Sequence, residues 1–192
     1  TNGNVYNVAV GANAGFAITT GTLNNLVGAL AGDALTTGHS NVVMGHAALS
    51  TEDTGRKNVA IGYSALNAQN ADIDNYNTAV GYNAGLSVTT GKENTLIGGQ
   101  TGDALTTGSY NTAVGYAALS EEDAHGYNTA IGYFALLNQN AGADAYNVAV
   151  GASAGRYVTT GIQNTLIGAS AGDALTDADY NTAVGVGALG SD

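Results

Sequence analysis

The 192-residue chain has 29 glycines, no proline, cysteine or tryptophan, and only 10% charged residues, against roughly 25% in a typical domain. Its net charge is −11, with Arg56, Lys57, Lys92 and Arg156 as the only cations, which argues against a nucleic-acid partner because such a surface repels phosphate backbones. No apolar run reaches the ~18 residues of a membrane span, no lipidation motif or secretory signal is read, and the lack of cysteine excludes a disulfide framework.

The order in the chain comes from repetition. The phrase "YNTAVGYNAG" starts at Tyr76, and near copies start at Tyr110, Tyr127 and Tyr180. Aligned on the glycine of N-x-A-V-G, the coils fall at Gly11, Gly28, Gly45, Gly62, Gly81, Gly98, Gly115, Gly132, Gly151, Gly168 and Gly185. The spacing runs 17, 17, 17, 19 and then recurs. The eleven coils are therefore grouped by fours, with Gly11, Gly81 and Gly151 each one 70-residue super-repeat apart. A fixed short period over a whole chain is the mark of a solenoid.

Each N-x-A-V-G segment predicts a short strand, β-compatible and ended by a breaker. Alternation places Thr78 and Val80 on one face and Ala79 on the other. The glycine turns one corner. Thr-Thr-Gly in the first two coils of a super-repeat, or an acidic replacement, turns the next. Helix is a poor alternative, because glycine recurs too often and the segments are too short.

Stacked at about 4.7–4.9 Å, eleven coils make a rod of about 50 Å. The asparagine four residues before each glycine then forms a ladder: Asn7, Asn24, Asn41, Asn58, Asn77, Asn94, Asn111, Asn128, Asn147, Asn164 and Asn181. The Val/Ile column before the glycine is expected to be the buried spine, each member contributing roughly 1.5–3 kcal/mol. Ordering the backbone costs about 1–2 kcal/mol per residue. A single thin spine is too little, which predicts side-by-side association through the small residues Ala84, Gly85 and Ala118.

These repeats resemble the "NTAVGYQAL…TTG" arrays of phage tail fibres and large bacterial surface proteins, and also the head repeats of trimeric autotransporter adhesins. The resemblance covers essentially the whole chain. It implies an all-β fold, a parallel β-solenoid or β-roll of eleven coils assembled as a homotrimer, extracellular, on a cell surface or a virion tail fibre. The coil is longer than that of the adhesin heads. Residues 1–192 read as one repetitive segment, a stretch of a longer fibre.

Candidate chemistry is sparse. Asp33, Asp103 and Asp173 lie one super-repeat apart, roughly 19 Å along the stack, too far for a carboxylate pair. Glu52-Asp53 and Glu121-Glu122-Asp123 replace Thr-Thr-Gly and read as solvated acidic corners. His39, His46 and His125 share no column, so no metal centre is expected, and no cofactor. The better candidates are Tyr63, Tyr82, Tyr116 and Tyr133, just after the repeat glycine. They either pack between coils or chains, or offer a flat apolar ring with a polar tip to a sugar or protein. The two-residue expansions at 70–76 and 140–146 are further places to look, since loops carry function more often than scaffolds do.

The leading expectation is therefore a non-enzymatic structural or adhesive fibre segment that presents an element binding a cell-surface glycan or protein receptor. The alternatives are a carbohydrate-binding solenoid using the tyrosine rows and, further behind, an ice-binding solenoid, which lacks a regular Thr-x-Thr row. An enzyme is the last of these readings.

Overall fold

The computed structural model describes residues 6–71 and 74–190. Its strands are β1 (Val8–Val10), β2 (Asn25–Val27), β3 (Val42–Met44), β4 (Val59–Ile61), β5 (Thr78–Val80), β6 (Thr95–Ile97), β7 (Thr112–Val114), β8 (Thr129–Ile131), β9 (Val148–Val150), β10 (Thr165–Ile167) and β11 (Thr182–Val184). They pair in chain order into one parallel sheet, and the register is kept at every step, for example Thr95↔Thr112 and Ile97↔Val114. The chain is an all-β solenoid in which like residues stand on like. No helix occurs among the described residues.

Beyond the strands, backbone bonds between coils continue around the corners. Leu30 N–H donates to Ala12 O at 2.9 Å and Gly32 N–H to Ala48 O at 3.0 Å. The corners are left-handed. The residue two after the repeat glycine has positive φ in coil after coil, as at Asn83 (54°), Ala117 (49°) and Phe134 (58°). This backbone is costly for L-residues, and the inter-coil bonds on either side hold it. The repeat glycine itself needs its missing Cβ. At Gly115 φ is +137°, and a Cβ would run into the carbonyl oxygen of Gly132 in the next coil.

The asparagine column points inward and is buried from Asn24 to Asn164. Each Oδ1 accepts the backbone N–H of the next asparagine, as in Asn24 N–H to Asn7 Oδ1 (2.8 Å) and Asn111 N–H to Asn94 Oδ1 (2.9 Å). In the coils of regular length Nδ2 reaches across its own coil to a corner carbonyl, Asn94 to Gly108 O at 2.9 Å and Asn77 to Gly91 O at 2.7 Å. The ladder therefore runs mainly through backbone. Direct amide-to-amide bonds occur at Asn41–Asn24 (3.1 Å) and Asn181–Asn164 (3.0 Å). In the two expanded coils the corner is displaced, and Asn58 Nδ2 and Asn128 Nδ2 are left without an acceptor.

Two expectations are corrected. The Val/Ile column is not the spine: Val80, Ile97, Val114 and Ile131 face outward, while Ala79, Leu96, Ala113 and Ala130 beside them are fully buried. On a strand of period two, the inward asparagine and a valine three residues later must lie on opposite faces. Ala84 and Ala118 are also fully buried inside their own coils, and a Cβ at Gly85 would meet Leu96, Leu66 and Val88. These small residues line the lumen and offer nothing to a second chain.

The lumen is filled by leucines at changing positions. In the second coil of each super-repeat the leucine is on the strand (Leu26, Leu96, Leu166), and the position four after the repeat glycine is Gly32, Gly102 or Gly172. In the third and fourth coils the inward strand residue is Val43 or an alanine, and leucine comes from that other position, as Leu49, Leu66, Leu119 and Leu136. One contiguous aliphatic core results. Truncation in dilute solution separates inside from outside. Leu96→Ala is expected to cost about 2–5 kcal/mol in chemical denaturation, and Ile97→Ala, already 39% exposed, under about 1 kcal/mol.

Candidate functional site

The residues flanking each strand stand in two rows. In the row after the repeat glycine, Tyr63 and Tyr82 stack at 5.5 Å between ring centroids, with His46 on the far side of Tyr63 at 5.3 Å. Tyr116 and Tyr133 stack at 5.9 Å. The structure thus brings the four expected tyrosines together as two pairs. Gly99 separates the pairs, and the Tyr116 hydroxyl turns back over that coil to hydrogen-bond Gln100 Oε1 at 2.5 Å. All four rings are about half exposed.

The row before the asparagines is more continuous. Tyr110, Tyr127 and Tyr146 stack at 4.9 and 4.8 Å with planes within 20°. Tyr76 has a cation instead: Lys57 Nζ lies 4.7 Å from the ring centroid, 2.7 Å from the Tyr76 hydroxyl and 2.6 Å from Asp74 Oδ2. Stacking along the rod covers ring faces with other ring faces and turns edges and hydroxyls toward solvent. A sugar that packs on an open aromatic face finds few here.

Between the two rows lies a surface that the sequence pattern does not single out as functional. Each strand turns two residues outward, the Thr/Val position and the Val/Ile position, and across eleven strands none is charged. Many remain exposed, among them Val10, Met44, Ile97, Ile131, Ile167 and Val184. The signal is present in the sequence as the alternating x-A-V pattern, whose outward half is the one that hydrophobicity alone assigns to the core.

The acidic corners also differ from expectation. Asp53, Glu121 and Asp123 are partly or fully exposed, but Glu52 and Glu122 are fully buried. Glu52 turns into the lumen at the position taken by Val88 or Leu105 in other coils. It accepts from Gly55 N–H (2.7 Å), Gln69 Nε2 (3.1 Å) and Ala71 N–H (3.2 Å). A turn that needs its N–H groups capped explains the acid better than solvation does. Glu122 repeats the role one super-repeat later, accepting from His125 N–H at 3.1 Å.

His125 adds a second grouping, since ligand atoms of Glu122, Asp123 and His125 all lie within 4.8 Å of one another. His125 Nδ1 is 3.4 Å from Glu122 Oε1. The same corner is held at Glu52 without a histidine, so capping is the shared function and the histidine is an addition to it. Asp103 and Glu121 line a shallow groove of about 460 Å³ together with Leu86, Ser87, Gln100 and Ser120. Burial, and then the charge of Glu121, hold the Asp103 carboxyl above its ordinary value.

Of the expansions, Asp72 and Ile73 lie outside the described residues. In the second, Gly142, Ala143 and Asp144 are exposed, and Asp144 Oδ1 accepts Gly126 N–H at 3.0 Å.

No family model, curated protein or solved structure matches this chain.

Burial raises the Glu52 and Glu122 carboxyls above the ordinary value of 4.5. A raised folded-state pKa gives stability that is fully present below the unfolded value and lost as pH rises through the folded one. The melting temperature is therefore expected to fall as pH rises from about 4.5 toward neutrality. Thermal melts of Glu52→Gln with Glu122→Gln across the same range are expected to show a shallower slope, which separates these two groups from general repulsion in an acidic chain.

Proposed function

We propose that this chain is a non-enzymatic fibre segment, a homotrimeric rod that spaces or presents an element binding a cell-surface glycan or protein receptor, displayed on a cell surface or a virion tail fibre. The observation carrying this reading is the equivalence of the rungs. Eleven coils repeat one strand, one asparagine position and one register, which extends a body by about 4.8 Å per coil. The likeness to tail-fibre and surface-protein arrays points the same way. The stacked tyrosines harden the flanks of such a rod, each aromatic pair adding about 0.5–1.5 kcal/mol beyond its buried area.

Gold-labelled antibodies raised against residues 6–190 test the reading on intact cells or particles that carry the chain. Labelled filaments at the surface are the expected result. Labelling confined to lysed material would sink it.

A further inference from the structure

The outward face of the sheet has three properties that belong together. It is long, spanning β1 to β11 at about 4.8 Å per rung, so about 50 Å. It is free of charge, with no Asp, Glu, Lys or Arg at either outward position of any strand, in a chain of net charge −11. It is rich in Val, Ile and Thr left half-exposed beside fully buried Ala and Leu.

An aliphatic face that remains open to water costs solubility unless something covers it. Two copies of an acidic chain repel each other on most approaches. The acids that reach the surface lie at the corners and in the expansions, as at Asp33, Asp53, Asp103, Glu121 and Asp144, with Glu93 in one flanking row. The sheet face is the broad surface where like-charged copies can meet without placing carboxylate against carboxylate. We infer that this face, formed by the Thr/Val and Val/Ile columns and edged by the tyrosine rows, is the surface on which copies of this chain dock on one another, side by side and parallel with rungs level. The inference rests on the fibre reading for its trimer and names the surface that reading requires.

Size and periodicity agree. Strands of three residues plus the flanking rows give a face about 15–20 Å wide and about 50 Å long, so about 750–1,000 Å² per copy. In a trimer that face is shared between two neighbours, about 375–500 Å² for each contact, and the total that one copy buries matches a stable interface, about 800 Å² per partner. A second copy has the same rung spacing, so a contact made at one level is repeated at every level. A partner of any other period matches at one level and drifts out of step at the next. The occupant is therefore a copy of this chain, and the Ala84, Gly85 and Ala118 positions buried in the lumen take no part.

Light scattering on the purified chain over a concentration series is expected to give three times the chain mass of 19.0 kDa. Ile97→Lys combined with Ile131→Lys puts two charges on outward, partly exposed positions of the face and is expected to return a 19.0 kDa particle with an unchanged circular dichroism spectrum. Thr90→Lys with Thr160→Lys, the same charge change at exposed corners, is expected to leave the assembly intact. The chain has no cysteine, so Val114→Cys adds a single thiol, expected to cross-link copies under mild oxidation where Thr90→Cys does not.

A wild-type chain that stays at one chain mass at every concentration overturns the inference. So does an assembly that survives the lysine pair on the face, or a Val114→Cys chain that fails to cross-link. A monomer that slows ice growth or binds a glycan array would assign the face to water or sugar instead and equally overturn it. Surface filaments labelled in cells alongside a monomeric chain would overturn this inference and leave the fibre reading standing; assembly without surface labelling would do the reverse.

Discussion

The structure depends on one inward side chain per coil. The repeat asparagine spends its carbonyl on the backbone of the coil above and its amide on a carbonyl across its own lumen, as Asn94 does with Asn111 N–H and Gly108 O. One residue therefore fixes the height between rungs and the width of the rung. A buried polar group that lost these partners would cost about 1–3 kcal/mol for each group left unsatisfied, and here the cost would recur in every coil. Because it points inward, it also sets the parity of the strand. What lies two residues on is an alanine, valine or leucine, buried from Leu26 to Ala183, and what lies one or three on must face out.

The four-coil super-repeat then reads as a packing cycle. A lumen that holds an asparagine in every coil has limited volume left, and the leucine moves so that neighbouring coils do not compete for it. Leu96 reaches from its strand into the space over Gly85 and Gly102, and a Cβ at either glycine would touch its methyl groups. In the next two coils Leu119 and Leu136 supply the bulk from the corner, above strands that carry only alanine. In those same coils the far end of the lumen holds Glu122 and Gln139 in place of an aliphatic residue, as Glu52 and Gln69 bond to each other (3.1 Å) one super-repeat before. Gln69 Oε1 in turn accepts from Asn77 Nδ2 at 2.9 Å, which joins the polar pair to the asparagine column just where the coil is expanded.

Much of this was legible in the sequence. Eleven coils, their strands and their register followed from the glycine spacing, because in a solenoid the period is the structure. The asparagine column was legible as a ladder, though its bonds go to backbone more than to amides. What failed was the facing. Valine and isoleucine are the most hydrophobic residues of N-x-A-V-G, and hydrophobicity alone sends them inside. The parity imposed by an asparagine three residues earlier overrides that preference, and the conflict was visible in the phrase itself. Glu52 and Glu122 were misread for a related reason. A carboxylate is normally left to water, and only the three-dimensional corner reveals N–H groups that need an acceptor. The tyrosine pairs were foreseeable as rows, but their break at Gly99 matters only once rings are seen to stack along the rod.

That misassigned face connects the fold to its use. A coil this short encloses a narrow lumen, and alternation means that every strand residue sent inward leaves its neighbours outside. A solenoid can cover that outer face with charge, which suits a rod standing alone, or leave it apolar. Among the described residues the acids stand at corners, in the expansions and in one flanking row, and the strands stay neutral from β1 to β11. A random placement of acids on exposed positions would not spare one face through eleven rungs. The neutrality follows from the same register that builds the core: a column is either good at every level or costly at every level, so a single role is imposed on the whole face at once.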